Sequence, residues 1–176
     1  MDKDHIISAY KDADYWQKTK PRVMGDIEQR PKAVELFSDI TGKKILDAGC
    51  GTGYVARMLA NAGAHTEGCD ISNEMLDLAK KSELSEPLNI MYKIEDILNL
   101  KQYENESFDG ILSVGVMIHH PIENWEKFIT ASKRVLKKGG VLVISVEHPF
   151  LFTPMSPTRQ KKQCWAIHTP LNPQIQ

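Results

Sequence analysis

The feature that most constrains the fold is a short apolar run, residues 44–48, that leads directly into three closely spaced glycines and then into a helical pattern. Gly49, Gly51 and Gly53 permit positive φ angles and allow a ligand to approach the main chain. The helix that follows would present free backbone N–H groups at its first turn. The sequence therefore predicts a strand, a ligand-binding turn and a helix, in that order.

Further apolar runs rich in Ile, Val and Leu alternate with helical patterns along the chain. The predicted strands are residues 44–48, 65–70, 89–94, 108–114 and 141–147, and the predicted helices are residues 30–40, 54–61, 73–81 and 124–136. Strands that are apolar on both faces and separated by helices are typical of a parallel sheet covered on both sides. We expect an α/β fold, a doubly wound Rossmann-like parallel sheet of about five strands with helices on both faces.

Composition changes at both ends of this pattern. Residues 1–29 form a polar and aromatic stretch containing Tyr10, Tyr15 and Trp16, which we interpret as an N-terminal arm or lid. Residues 30–148 are expected to form the ligand-binding domain. Residues 149–176 contain five of the nine prolines and no glycine, so they predict an irregular tail without a strand or helix.

Charge and cysteine content exclude several classes of protein. The 22 Lys and Arg against 23 Asp and Glu give a net charge of −1, and no basic cluster favours nucleic acid. No uncharged run is long enough to span a bilayer, so no membrane partner is expected. Cys50, Cys69 and Cys164 fit neither a disulfide framework nor a zinc site, which favours a reducing cytoplasm.

The details of the glycine turn indicate which ligand it suits. Its G-x-G-x-G spacing differs from the G-x-G-x-x-G of dinucleotide sites, and it lacks the Lys-Ser/Thr pair of a P-loop. Asp70 ends the second predicted strand, where a carboxylate can accept hydrogen bonds from a ribose diol. Asp96 follows the third strand and can accept from an adenine amine. An NAD-dependent oxidoreductase remains an alternative on the position of Asp70, although the glycine spacing and Asp96 argue against it.

Five segments in order resemble the class I S-adenosylmethionine-dependent methyltransferases, particularly the small-molecule branch that includes ubiquinone and menaquinone biosynthesis methyltransferases. The matching segments are DAGCGTG at 47–53, GCDIS at 68–72, EDI at 95–97, FDGILS at 108–113 and RVLKKGG at 134–140. The resemblance covers residues 30–150 and implies S-adenosyl-L-methionine as cofactor.

The resemblance also implies roles for individual residues. The glycine loop would lie against the methionine portion of the cofactor, Asp70 would bind the ribose, and Asp47 would orient the loop or the cofactor's amino group through water. The adenine would be lined by Ile71 and Met75 and met at its edge by Asp96 and Ile97. The full set of implied cofactor-binding residues is Asp47, Gly49, Cys50, Gly51, Asp70, Ile71, Met75, Asp96, Ile97 and Ser113.

Methyl transfer draws its reactivity from the cofactor, so a general base is optional. His120, after the fourth strand, and His148, after the fifth, are the candidate catalytic bases at the carboxyl edge of the sheet, and His119 is a weaker one. These three histidines also leave a zinc site open, although no spaced ligand motif supports one. The place after strand four reads Ser-Val-Gly-Val instead of the Asn/Asp-Pro-Pro-Tyr/Phe of enzymes that methylate amino groups of adenine or glutamine. A small-molecule acceptor is therefore expected.

Length raises a further expectation. Members of the resembled family usually carry seven strands, the last two forming an antiparallel addition, whereas the pattern here predicts five. Either the fold is truncated, with an incomplete acceptor pocket, or a homodimer supplies the open sheet edge. A non-catalytic S-adenosylmethionine-binding module therefore stays open as the second interpretation.

Overall fold

The computed structural model describes residues 29–146 and, for the backbone alone, residues 165–170. One six-stranded sheet forms the centre of the described part. Its strands are β1 Lys44–Ala48, β2 His65–Asp70, β3 Met91–Ile94, β4 Phe108–Val114, β5 Leu136–Val146 and β6 Trp165–Pro170. The helices are α1 Arg30–Glu35, α2 Tyr54–Asn61, α3 Asn73–Ser85 and α4 Ile122–Val135, with a 3₁₀ turn at Met117–His119.

The sheet has the order β3-β2-β1-β4-β5-β6, and β1 to β5 are mutually parallel. The predicted doubly wound α/β fold is therefore confirmed. Strand order reverses between β1 and β4, and in such sheets ligands bind outside the carboxyl ends of the strands at this point. The glycine loop follows β1 and the predicted histidines follow β4, so the topology brings both to this crevice.

Apolar side chains alternate between two core clusters, one on each face of the sheet. On one face, Leu46 and Ile111 pack with Phe128 and Val135 of α4. On the other face, cluster members come from α1 and α2, and include Ala33, Val55 and Leu59. Because both faces are covered, most side chains of the central strands are buried, including the polar Asp47, Thr66 and Glu67.

Several predicted boundaries are wrong for local backbone reasons. The first helix ends at Glu35, not at residue 40, because Ser38 adopts a left-handed φ of 60°. Strand β3 begins at Met91, not at residue 89, because Asn89 has a φ of 61°. Helix α4 ends at Val135 and passes directly into β5, whose pairing with β4 shifts register between Phe108 and Gly110.

The expectation that no strand follows β5 is also wrong. Residues Trp165–Pro170 form β6, which pairs antiparallel with β5 from Val146↔Trp165 to Val141↔Pro170. Proline is tolerated because β6 lies at the edge of the described sheet and Pro170 is its last residue. The alternation of Trp165, Ile167 and Thr169 was a short strand signal within a proline-rich segment. The outer edge of β5 is therefore occupied within the chain.

Within the described residues, no helix is both long and apolar enough to cross a bilayer. The domain limits at 1–29, 30–148 and 149–176 stay a prediction, since residues 1–28, 147–164 and 171–176 lie outside the described part.

Candidate active site

The glycine loop is tied to the neighbouring strand by its own backbone. The N–H groups of Gly49 and Cys50 both donate to the Cys69 carbonyl of β2, at 2.8 and 2.9 Å. Gly49, Gly51 and Gly53 have φ angles of 81°, 52° and 80°, a conformation that favours glycine. A Cβ atom added to Gly51 would meet no atom of residues 29–146 within 4 Å, so this part of the structure leaves the middle of the loop open to a ligand.

Asp70 clamps this loop from the end of β2. Its Oδ2 accepts a hydrogen bond from the Gly51 N–H at 2.8 Å, and its Oδ1 accepts one from the Ser72 N–H at 2.9 Å. Burial raises the pKa of Asp70, and the backbone N–H groups of Ser72, Gly51 and Ile71 oppose that shift. The sequence therefore placed Asp70 at the correct edge, and the structure adds that it holds the loop in shape.

Asp47 lies beneath the loop and is 2% exposed. Burial and the nearby Asp70 carboxylate raise its pKa to about 7, while the Ala56 backbone N–H and the Arg30 guanidinium oppose the shift. Its Oδ2 has no hydrogen-bond partner among the described residues. A buried oxygen without a partner is costly, so this atom suits a donor or cation supplied by a ligand or by water.

Arg30 and Tyr54 are site neighbours that the sequence did not single out. The Arg30 guanidinium lies 5.0 Å from the centroid of the Tyr54 ring, and Tyr54 is the first residue of α2 after the glycine loop. The positive charge of Arg30 also partly offsets the rise in the pKa of Asp47. The charge of Arg30 could have been noticed in the sequence, but its place beside the loop depends on how α1 packs.

The residues implied for the adenine side sit at the ends of β2 and β3. Met75, in the first turn of α3, is 3% exposed. The Ser72 side-chain oxygen accepts a hydrogen bond from the Met75 N–H at 3.3 Å, so Ser72 caps the helix as the sequence predicts. Asp96 is half-buried and its Oδ1 accepts from the Leu98 N–H at 3.0 Å. Ile71 is half-buried, whereas the Ile97 side chain packs into the core, so a ligand would meet Ile97 through its backbone.

Cys50 and Ser113 complete the predicted set and are both buried. Burial, together with Asp47 and Asp70, raises the pKa of the Cys50 thiol, so it stays protonated and unreactive. The Ser113 hydroxyl is fully buried at the end of β4 and has no partner among the described residues. Both side chains lie near the crevice, and neither has the environment of a nucleophile.

His120 is the C-terminal end of the 3₁₀ turn after β4 and is half-buried. Its Nδ1 lies 3.5 Å from the Asn124 Nδ2 atom. Burial lowers the pKa of His120, Asp96 opposes the shift and His119 adds to it, so the ring is neutral at neutral pH. His148 lies outside the described residues. No cluster of metal-ligating side chains occurs in the part of the chain that the structure describes.

The comparisons with known proteins agree with this geometry. A family model described as a methyltransferase domain matches residues 45–140. The chain is 32% identical over 116 residues to a ubiquinone biosynthesis O-methyltransferase of Paraburkholderia phymatum, covering 66% of this chain and 49% of the relative. The chain thus spans about half the length of the curated relatives it matches.

Solved structures share the fold. An S-adenosylmethionine-dependent methyltransferase from Mesorhizobium loti has a TM-score of 0.58 and 29% identity, over 68% of this chain and 53% of that one. Phosphoethanolamine N-methyltransferase 2 of Haemonchus contortus, in complex with S-adenosyl-L-methionine, has a TM-score of 0.65 and 26% identity, over 82% of this chain and 33% of that one. These matches decide against the NAD-dependent alternative.

The cofactor of this family fits the residues present, because, among the described residues, nothing crowds the loop at Gly51 and the Asp47 Oδ2 atom beneath it lacks a partner. The chain belongs to the class I S-adenosylmethionine-dependent methyltransferases.

Proposed function

We propose that this chain transfers a methyl group from S-adenosyl-L-methionine to a small-molecule acceptor. The observation that carries the proposal is the hydrogen bond from Gly51 N–H to Asp70, which fixes an open, left-handed glycine loop at the carboxyl edge of the sheet. When bound, the cofactor supplies an electrophilic methyl group on a sulfonium. The chain supplies binding, orientation and control of protons.

Two groups of residues would hold the cofactor. Gly49, Cys50 and Gly51 face its amino-acid portion, with the Asp47 carboxylate below to receive a positively charged or N–H donor group. The Asp70 oxygens already accept backbone N–H groups, and each retains a lone pair for a ribose hydroxyl. At the other end of the crevice the adenine would be bordered by Ile71, Met75, Asp96 and Ile97, whereas Ser113 lies on β4, across β1 from these residues.

Proton transfer is assigned to the turn after β4. A neutral imidazole accepts a proton, and burial keeps His120 neutral at neutral pH. Asn124 Nδ2 is a donor, so its contact favours a neutral His120 that carries its hydrogen on Nε2 and its free lone pair on Nδ1. Nδ1 is therefore the atom that would take a proton from an acceptor hydroxyl, in place of the Asn124 contact. His148 is the second candidate for this role, and its contribution stays a prediction.

Relatives support the small-molecule acceptor by their names, which refer to ubiquinone biosynthesis and phosphoethanolamine. The free, buried Cys50 and Cys69 support a reducing, cytoplasmic setting. The net charge of −1 supports the absence of a nucleic-acid partner. Self-association stays a prediction, and it would use a strand edge other than the one that β6 covers.

The test is incubation of the protein with S-adenosylmethionine labelled on the methyl group and a metabolite extract, followed by chromatography of labelled products. At a cofactor concentration near the wild-type Kd, we expect label in a small molecule with the wild type and much less with Asp70→Ala. Asp109→Asn is the matched control, because Asp109 pairs with Lys137 at the opposite end of β4. Cofactor binding with no labelled product across broad pools would instead assign a non-catalytic binding module.

A further inference from the structure

One contact joins the glycine loop to the turn that carries His120. The side chain of Val116 lies directly against the Cα atom of Gly49. A Cβ atom added to Gly49 would overlap Cγ2 of Val116 and would lie 3.0 Å from its Cγ1. By contrast, Cβ atoms added to Gly51 or Gly115 would meet no atom of the described part of the chain within 4 Å. Close packing against the turn after β4 is therefore specific to Gly49, since Gly53 is crowded instead by Tyr92 of β3.

Val116 is held from two other directions. Its side chain is half-buried and packs against the core cluster on the α4 face of the sheet. Its carbonyl accepts a hydrogen bond from the His119 N–H at 3.1 Å, which starts the 3₁₀ turn. The residue before it, Gly115, has a φ of 69° and donates to the Ser145 carbonyl of β5 at 2.8 Å. The Val116 side chain is therefore a fixed support for Gly49.

The contact links the two halves of the proposed site. Gly49 is tied to β2 through the Cys69 carbonyl, and the turn built on Val116 ends at His120. Packed protein interiors do not deform continuously, so the distance between the glycine loop and this turn is set by the side chains that separate them. In the described structure, the atoms between Gly49 and the turn are the methyl groups of Val116.

We propose that Val116 is a positioning residue: its isopropyl group sets the spacing between the glycine loop, where the amino-acid portion of the cofactor would lie, and the turn that holds His120. This inference rests on the proposed function. It adds a residue whose role is to align the cofactor's amino-acid end with His120, without a requirement that Val116 itself touches the acceptor.

The first experiment is a double-mutant cycle on Gly49→Ala and Val116→Ala, read by calorimetric titration. The probes are S-adenosylhomocysteine and 5′-methylthioadenosine, which keeps the adenosine and the sulfur but lacks the amino-acid part. We expect Val116→Ala to weaken S-adenosylhomocysteine about fivefold or more and to leave 5′-methylthioadenosine within about twofold. We expect Gly49→Ala to weaken S-adenosylhomocysteine more strongly, and the double variant to bind it better than Gly49→Ala alone.

Val116→Thr is the control for side-chain shape, because threonine keeps both branches at Cβ and replaces one methyl by a hydroxyl, and we expect its affinity to stay within about twofold of the wild type. Additive effects in the cycle, or equal losses for both probes, would overturn the inference. Failure of the wild type to bind S-adenosylhomocysteine would instead count against the proposed function.

A second measurement needs no ligand and separates positioning from general packing. The imidazole resonances are titrated by NMR in the wild type, Val116→Ala and Val116→Thr, with His120→Gln to assign the His120 signal. We expect Val116→Ala to move the pKa of His120 back toward its ordinary value, because the turn loses its support, and Val116→Thr to leave it unchanged. An unchanged His120 titration in a folded Val116→Ala variant would refute the positioning role.

Discussion

Replacing Asp70 by alanine removes the acceptor on which the shape of the glycine loop depends. The wild-type carboxylate accepts from the Gly51 N–H at 2.8 Å and from the Ser72 N–H at 2.9 Å, so alanine leaves two backbone donors without this partner. A hydrogen bond to a charged group contributes about 1.5 to 3 kcal/mol. The Ser72 N–H also lies at the start of α3, whose first turn contains Met75. We therefore expect the loss of this hydrogen bond to affect the position of Met75 on the adenine side of the site.

The expected cost to cofactor affinity follows from the Gly51 bond and from the proposed ribose contact, which share one carboxylate. If the net loss of binding free energy equals the upper value for one hydrogen bond to a charged group, about 3 kcal/mol, the Kd for S-adenosylhomocysteine rises by on the order of 100-fold. Asp70→Asn keeps one carbonyl oxygen to accept a backbone N–H, so we expect an intermediate loss of about tenfold.

The assay is isothermal titration calorimetry at neutral pH, with circular dichroism to show that each variant is folded. Asp109→Asn serves as the matched control, since its side chain bonds to Lys137 and to the Lys44 N–H, away from the crevice. If folded Asp70→Ala binds S-adenosylhomocysteine as tightly as the wild type, the reasoning about the loop and the ribose is refuted.

Three further predictions concern stability, each measured by urea denaturation. The folded pKa of Asp47, about 7, lies above its ordinary value of 3.8, so the folded state holds a proton that the unfolded state releases between these values. The free energy of unfolding should therefore fall as pH rises through this window. Asp47→Asn should remove this fall and should be more stable than the wild type at about pH 8, by up to about 4 kcal/mol. Identical pH profiles for the two proteins would contradict this prediction. Arg134→Ala should lower the free energy of unfolding by about 2 kcal/mol or more, because the Arg134 guanidinium donates to the Leu100 carbonyl at 2.7 Å and to three other oxygens of residues 99–105. A decrease of less than about 0.5 kcal/mol would contradict this prediction. Gly53→Ala should be less stable than Gly51→Ala. Both glycines have positive φ angles, but only a Cβ atom at residue 53 would overlap the Tyr92 Oη atom. Equal losses of stability in the two variants would show that this overlap is relieved without cost.

The sequence was most informative where local and tertiary forces agree. Strands β1, β2 and β4 begin and end where predicted. β1 and β4 are rich in apolar residues, and β2 is limited by the left-handed Gly63 before it and by the helix cap Ser72 after it. Helix α3 begins after Ser72 for the same kind of local reason, since a serine side chain satisfies a first-turn N–H. The positions of Asp70 and the glycine loop at one edge followed from the order of the elements.

What the sequence could not provide depends on contacts between distant segments. The burial that raises the pKa of Asp47, the placement of Arg30 over Tyr54 and the contact of Val116 with Gly49 are all set by packing. The left-handed residue Asn89 delays strand β3, and a six-residue strand within a proline-rich segment gave too short a period to be recognised. The acceptor likewise depends on side chains whose arrangement the pattern of residues does not specify.

The central claim is that the open glycine loop, clamped by Asp70, binds the cofactor of the family. The most direct measurement is calorimetric titration of the folded wild-type chain with S-adenosylmethionine, S-adenosylhomocysteine and NAD in parallel. We predict saturable binding of the first two at a single site per chain and no heat from NAD. Saturable binding of NAD, or no binding of either S-adenosyl compound by the folded protein, would contradict the account.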